Sequence, residues 1–490
     1  MSGGGMDAAQ FERIDGFPYR KRVRDTMSAP AVTVPADATL GDAVEAMTTR
    51  AVSSVLVVDG TGRCVGIVTE RDALRALRRD IPGVLATPAA AAMTSPVAGV
   101  AADDFLFRAI GRMDRLGVRH LPVLDAAGRP LGMLSARTLL KVRSSTALAV
   151  GDEVDVAADA AALRAAHDRL PPLAVGLLAD GVPATGIAGV VSAVTRDITA
   201  RAAALAIASA RAEGRGEPPC RWCLLVLGSA GRGDSLLAPD QDNALILDPP
   251  ASTDANAVDA WFAAFAGRLN ETLAEAGIPL CKGGVMAREP AFRRTAVGWR
   301  AAVDGWIAKP DGEAVLAADI FFDFAPVAGD AALADGLRAD ALARAAAAPV
   351  FLRRLAADLD GAAAALGWLG RFRLVDGRVD LKRGGTLPIT AGLRALALRR
   401  GIAATSTLDR LEALRAVGAV GAEDAAAIGE AYGVIVDAVM RQQIADLAAG
   451  RPAGPRVDPR ALDRRSRRAL RAAVGRAALM PAMVNDALAG

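Results

Sequence analysis

Histidine is almost absent from this 490-residue chain, which carries only His120 and His167. A zinc knuckle or any other centre built on several imidazoles is therefore excluded. Aromatic residues make up 4% of the sequence, too few for the stacking platforms on which single-stranded nucleic acids lie. Excess charge of either sign is also missing. Lys+Arg 58 against Asp+Glu 55 gives a net charge of +3, which argues against a nucleic-acid partner. No window of 18 residues is both apolar and uncharged, so no transmembrane span is predicted. The first twenty residues lack an apolar signal core and read as a flexible tail, with a cytoplasmic location expected. The four cysteines (Cys64, Cys220, Cys223, Cys281) are too few for a disulfide framework at this length. Cys220 and Cys223 have the spacing of a redox or zinc pair, and equally that of two small apolar residues entering a strand.

What is present first is a repeat. Met27-Ser-Ala-Pro30 recurs as Met93-Thr-Ser-Pro96, and Gly66-Ile-Val-Thr69-Glu-Arg-Asp72 recurs as Gly132-Met-Leu-Ser135-Ala-Arg-Thr138, both at one constant offset. Each unit places a helical stretch (40–49; 106–116) before an apolar strand (54–58; 121–124). Turns at 59–62 and 125–128 then suit a hairpin. Two halves, each too small for a good core, are predicted to pack face to face.

From 144 to 217 the chain turns Ala-rich. Helical spacing predicts amphipathic helices over 152–170 and 187–211, with Pro171-Pro172 as punctuation and His167 on a helix surface. The stretch 224–247, LLVLGSAGRGDSLLAPDQDNALIL, then breaks an apolar run into Gly228-Ser229-Ala230-Gly231-Arg232-Gly233, followed by Asp240-Gln241-Asp242 and a second apolar run. Two carboxylates one residue apart on extended backbone share a face. Beside a Gly/Ser/Arg turn they suit a metal-bound triphosphate. A hairpin with solvated turn acids fits the same residues. Beyond Asp330 the chain is Ala/Leu/Arg-rich and helical in period, interrupted by an island at 375–389. Helices are predicted there over 390–400, 407–417 and 422–449.

The repeat, from Arg24 to Arg143, resembles the CBS-domain pair (Bateman module). The resemblance implies adenine-nucleotide binding (AMP or ATP) and a homodimer through the pair. In that family the closing Thr and Asp hydrogen-bond the ribose, which points to Thr69 and Asp72. The second unit offers Ser135, with Thr138 where the Asp belongs, so one competent site is expected rather than two. A pair that only dimerises or braces its neighbour is the other reading.

The stretch 224–247 resembles the polymerase-β-like nucleotidyltransferases. More narrowly, it resembles the signal-transduction branch that includes the uridylyltransferase of the nitrogen regulator PII, and most of all a family of nucleotidyltransferases of unassigned substrate, commonly fused to CBS or cyclic-nucleotide-binding domains. The resemblance implies an NTP substrate and Mg²⁺ held by Asp240 and Asp242. It also implies a third carboxylate on a later strand, for which Asp323 is the candidate general base or shared ligand, with Asp319 as fallback. Gly228 and Ser229 would meet the triphosphate through backbone N–H groups and a hydroxyl, and Arg232 would clamp a phosphate oxygen. Ala325 replaces the pattern's arginine and Asp234 its usual glutamate. The segment from Cys281 through Gly283-Gly284 belongs to the same likeness, its glycines fitting either a nucleotide approach or a tight turn. Trp299 and Trp306 read as core anchors. Lys382-Arg383-Gly384-Gly385 resembles the segment after the catalytic core in PII-modifying enzymes, and reads as a phosphate or substrate contact or as a basic surface loop. A PII-like protein or a small hydroxylated molecule is the implied acceptor. His167-Asp168 lacks the further histidines of a two-metal phosphohydrolase, so tag removal is excluded.

These readings predict an α/β multi-domain chain. A tail (1–23) precedes a tandem α+β CBS module (24–79 and 90–143) and a helical connector (150–215). A small mixed-sheet nucleotidyltransferase core (216–330) and a C-terminal α-helical bundle (331–490) complete it. The expected function is signal-transduction nucleotidyl transfer under adenine-nucleotide control. A nucleotide-binding regulatory protein without turnover is the competing reading, and Ala325 favours it.

Overall fold

The computed structural model describes residues 22–78, 83–104, 106–136, 138–139, 150–310, 312–357, 365–367 and 370–489. The expected tail, apart from its last two residues, and the end of the second repeat (140–143) lie outside the described residues. The chain is an α/β multi-domain protein divided into two compact units, Met1–Ala149 and Val150–Gly490.

In the first unit each repeat folds as read. Strand β1 (Thr33–Pro35) pairs parallel with β2 (Ser54–Val58), and β2 pairs antiparallel with β3 (Cys64–Thr69). The second repeat duplicates this with β4 (Val100–Ala101), β5 (His120–Leu124) and β6 (Pro130–Ser135). Helix α1 (Leu40–Thr49) buries Leu40, Ala43 and Met47, one face at helical spacing, against Val55, Val57 and Val68. Helix α2 (Glu70–Leu77) follows β3, and α3 (Leu106–Leu116) occupies the place of α1 in the second repeat.

The two halves exchange their leading segments. Ser28 bridges Met133 of the second repeat's last strand, and Thr94 bridges Ile67 of the first's. Val23, from the lead-in of the first repeat, is fully buried in the second repeat's core. The glycines opening each closing motif make this approach possible. A Cβ at Gly66 would sit 2.1 Å from the Met93 sulfur, and one at Gly132 would sit 2.6 Å from the Ser28 carbonyl oxygen. The repeated Met-x-x-Pro and Gly motifs are thus two sides of one contact.

The second unit is built on a four-stranded mixed sheet in the order β10-β7-β8-β9. Its strands are β7 (Arg221–Val226), β8 (Asn243–Asp248), β9 (Arg293–Thr295) and β10 (Ala325–Gly329). Strand β7 runs antiparallel to both β8 and β10, while β9 lies parallel to β8. Helices α4 (Ala184–Ala212) and α6 (Ala255–Glu275) pack on one another, and the five-residue α5 (Gly228–Arg232) sits between β7 and β8 in sequence. Helices α7 (Ala296–Ala308), α8 (Gly312–Phe321) and α9 (Ala331–Ala346) flank the sheet, and α10 (Leu387–Arg399), α11 (Thr407–Ala416), α12 (Ala422–Ala448) and α13 (Arg464–Ala477) form the C-terminal bundle.

Several expectations are corrected. The helix expected over 152–170 is interrupted: Asp159 caps a helix at Ala160–His167, and Pro171-Pro172 open the next at Leu170–Ala179, where proline costs no hydrogen bond. His167 is not a surface residue. Its side chain is 14% exposed, faces Gly277, and leaves both ring nitrogens without a hydrogen-bond partner. The aromatic run at 320–324, read as a strand carrying Asp323, is the end of α8 and the turn into β10. A short apolar run does not distinguish strand from buried helix end by period.

Candidate active site

Strand β7 delivers the chain to Leu227, and the turn into α5 begins with Gly228 at φ 55°. A Cβ there would lie 2.8 Å from Asp242 Oδ2, so only glycine leaves this carboxylate room against the turn. The Leu227 amide donates to the Asp242 carbonyl oxygen at 2.9 Å, locking the turn to the acidic segment. Asp240 is exposed, Asp242 half-buried, and Cys281 half-buried beside them. One ligand atom from each of the three lies within 4.8 Å of the others.

A buried amide network holds this cluster. Asn270 of α6 donates to Gln241 Oε1 at 2.9 Å and to Asn243 Oδ1 at 3.1 Å. Its own Oδ1 accepts from the Arg288 amide at 3.2 Å, and Asn243 Oδ1 accepts from the Ala287 amide at 2.8 Å. Gln241 Nε2 donates to the carbonyls of Asn270 and Ile278. Gln241 and Asn243 therefore point inward while Asp240 and Asp242, on alternate positions, point into the cleft. The network also ties the acidic segment to the loop carrying Cys281, since the amides of Gln241 and Asn243 donate to the carbonyls of Pro279 and Val285.

Burial, and then the Asp240 carboxylate, push Asp242 up to about 6; its hydrogen bond from Cys281 and the charges of Lys382 and Arg232 act the other way. Burial and Asp242 raise the Cys281 thiol. Lys382 is exposed at the start of a π-helical turn (Lys382–Thr386) that leads into α10. Ser229 Oγ lies 3.3 Å from Ser235 Oγ.

Asp323 is not brought to this cluster. It is fully buried, and both of its oxygens are taken. Oδ1 accepts from Arg394 Nε at 2.9 Å and Arg410 Nη1 at 2.6 Å, and Oδ2 accepts from Arg232 Nη1 at 2.5 Å and Arg394 Nη2 at 2.6 Å. Arg394 also pairs with Asp319, which lies on α8 rather than on a strand face beside Asp323. Arg232, expected to clamp phosphate, instead joins Asp323 to Asp234, and Asp234 accepts from Thr407 of α11. Three arginines and three aspartates thus tie the sheet domain to the C-terminal helices. The Gly231 backbone presses onto the same residue: a Cβ at Gly231 would lie 1.9 Å from the Asp323 carbonyl oxygen.

Of the other expected positions, Ala325 opens β10 opposite Val226. Trp299 is buried, its indole donating to the Leu245 carbonyl at 2.8 Å. Cys223 is a fully buried β7 residue, closed to an ion from solvent, and burial pushes its thiol up to about 12. In the first unit Thr69 and Asp72 form a reciprocal cap on α2: Thr69 Oγ1 and N donate to Asp72 Oδ2 at 2.6 and 3.0 Å, and the Asp72 amide donates back. Ser135 and Thr138 repeat the pairing with two hydroxyls 2.7 Å apart. His120 Nε2 lies 2.9 Å from Ser53 Oγ.

Cys281, Asn270, Arg394 and Arg410 were not singled out from sequence as site residues. The polar residues alternating with Asp240 and Asp242 were the one local signal of an inward-facing network.

Three family models match the chain. "CBS domain" matches residues 23–79 and 89–145, "Putative nucleotidyltransferase DUF294" matches 168–313, and "Putative nucleotidyltransferase substrate binding domain" matches 349–486. The chain carries a CBS-domain pair followed by a DUF294 nucleotidyltransferase domain and its substrate-binding domain. An uncharacterized 17.7 kDa protein of Acidianus ambivalens is 32% identical over 121 residues, which are 24% of this chain and 71% of that protein. Inosine-5'-monophosphate dehydrogenase of Methanocaldococcus jannaschii is 30% identical over 134 residues, 27% of this chain and 25% of that enzyme. Among solved structures, a CBS domain protein of Pyrobaculum aerophilum complexed with AMP has 27% identity and a TM-score of 0.23, covering 25% of this chain and 99% of that one. Asp323 lies between the two matched DUF294 stretches, whereas Asp240 and Asp242 lie inside the first. No helix among the described residues is long and apolar enough to cross a membrane.

Proposed function

We propose that the second unit transfers a nucleotidyl group from an NTP to a hydroxyl acceptor, either a PII-like regulatory protein or a small molecule. The observation that carries this reading is the convergence of Asp240 and Asp242 beside a glycine turn that leaves Asp242 no room for a side chain opposite. Two carboxylates of this kind fit a divalent cation that takes its remaining ligands from substrate phosphates. When bound, that cation lowers the acceptor hydroxyl's pKa and neutralises charge on the leaving pyrophosphate. Asp240 and Asp242 would hold that cation, and the Lys382 ammonium supplies a mobile positive charge at the same cleft. Arg232 positions α5 rather than gripping phosphate, because Asp234 and Asp323 already engage it.

The first unit we read as an adenine-nucleotide sensor, paired with a second copy of the chain, acting in signal transduction. Thr69 and Asp72 support it: the cap on α2 uses Asp72 Oδ2, while Oδ1 lies 3.7 Å from Arg75 Nη1. Ser135 and Thr138 lack that carboxylate, so one site per chain is expected. Calorimetry of the full chain with AMP should lose binding in Asp72→Asn; unchanged affinity in a folded variant rules the assignment out.

The test of the transferase is pyrophosphate release from each NTP in a lysate carrying candidate acceptors, wild type against Asp242→Ala. Release that depends on Asp242 supports the reading. Binding of NTP without release supports a regulatory site without turnover, which the withdrawal of Asp323 from the cluster favours.

A further inference from the structure

Three donors converge in the cleft, and they are not three carboxylates. The carboxylate that a third corner would require, Asp323, has both oxygens occupied by Arg232, Arg394 and Arg410. Cys281 takes the place instead, its sulfur within 4.8 Å of ligand oxygens of Asp240 and Asp242. Its placement is held by the fold. The Gly284 amide donates to the Cys281 carbonyl at 3.1 Å, and the loop on both sides is pinned to the acidic segment through Gln241, Asn243 and Asn270. The half-buried sulfur therefore faces the two carboxylates and not the core.

We propose that Cys281 is the third protein ligand of the Asp240–Asp242 centre, and that the centre therefore selects a borderline divalent ion of the iron-to-zinc series over Mg²⁺. Magnesium demands oxygen donors in near-octahedral array, whereas a thiolate with two carboxylates suits the later first-row ions. Coordination breaks the S–H bond heterolytically: sulfur keeps the electron pair and binds the ion, and the proton leaves to solvent. The proposal rests on the transferase reading for the choice of cleft, but ion selectivity is measurable without any turnover.

Co²⁺ is the probe, added to the full-length protein. The expected result is a thiolate-to-cobalt charge-transfer band saturating at one ion per chain, lost in Cys281→Ser and retained in the Cys64→Ser/Cys220→Ser double variant. Zn²⁺ affinity by calorimetry should fall about ten-fold or more in Cys281→Ser, while Mg²⁺ affinity stays nearly unchanged. About one proton should be released per Zn²⁺ bound by wild type through the thiol, and none from sulfur in the variant. Cys281→Asp should move the preference back toward Mg²⁺. A wild-type protein without the band, or a band that survives Cys281→Ser, overturns the proposal. Should Cys281→Ser fail to fold, the Cys64→Ser/Cys220→Ser variant decides, because loss of the band there places it on another thiol. Sulfur ligation without nucleotidyl transfer leaves this inference standing and removes the transferase reading; transfer without sulfur ligation does the reverse.

Discussion

Replacing Asp323 by asparagine separates an anchor from a catalytic carboxylate. The carboxylate accepts four charge-assisted hydrogen bonds from Arg232, Arg394 and Arg410, at 2.5 to 2.9 Å, with no exposure to solvent. An amide of the same shape keeps one acceptor oxygen. It turns its NH₂ toward two arginine N–H groups, so two of the four bonds become donor against donor. It also leaves three guanidinium groups facing Asp234 and Asp319 alone, an uncompensated charge in the interior. Removing one partner of a buried ion cluster costs about 3–5 kcal/mol. For a unit of this size that lowers the thermal midpoint by on the order of 5–10 °C. The assay is a thermal melt of full-length wild type and Asp323→Asn, followed by metal titration of each at a temperature where both are folded. The anchor account predicts a large loss of stability and near-normal metal affinity. Unchanged stability with metal binding abolished would refute it and restore Asp323 as the third ligand.

Asn270 is fully buried and joins Gln241, Asn243 and Arg288, so Asn270→Ala strands several polar groups; denaturant unfolding should show a loss of about 2–4 kcal/mol. Gly228→Ala imposes a positive φ on alanine, costing about 1 kcal/mol, and crowds Asp242 Oδ2. Its metal affinity should fall much more than its melting point, and the reverse ordering would contradict the geometry. Asp446 is lowered to about 2, first by its hydrogen bonds from Arg378. With the folded value depressed, its stabilisation is present above the unfolded value near 4 and lost as pH falls toward 2. Acid-unfolding curves should therefore flatten in that window for Asp446→Asn. Burial also depresses His167, so stability falls as pH drops below the unfolded value of 6.5 toward the lower folded one. Melts of His167→Leu should lack that acid-side loss.

The parts of this molecule that are local in sequence were legible there. The constant offset of the repeat predicted two like halves, and the Met-x-x-Pro and Gly motifs turn out to touch across that repeat because each segment docks on the other's sheet. The alternation of Asp240 and Asp242 placed both carboxylates in one cleft, since a strand's period of two needs no tertiary information. Asp323 was different. Its fate depends on Arg394 and Arg410, which lie 71 and 87 residues later, among many arginines of an Arg-rich bundle with nothing local to single them out. The helix end that carries it has the same short aromatic run as a buried strand. Cys281 stands two residues before a glycine pair with nothing local to mark it as a ligand, and the amide network of Gln241, Asn243 and Asn270 ties its loop to the acidic segment.

The most direct measurement follows two labels through one reaction. NTP carrying label at the α-phosphate, and separately at the γ-phosphate, is incubated with the protein and acceptor-containing lysate. A nucleotidyltransferase at Asp240 and Asp242 puts the α-label on the acceptor, leaves the γ-label in pyrophosphate, and does neither as Asp242→Ala. Transfer of the γ-label, or α-transfer that persists in Asp242→Ala, would contradict the account.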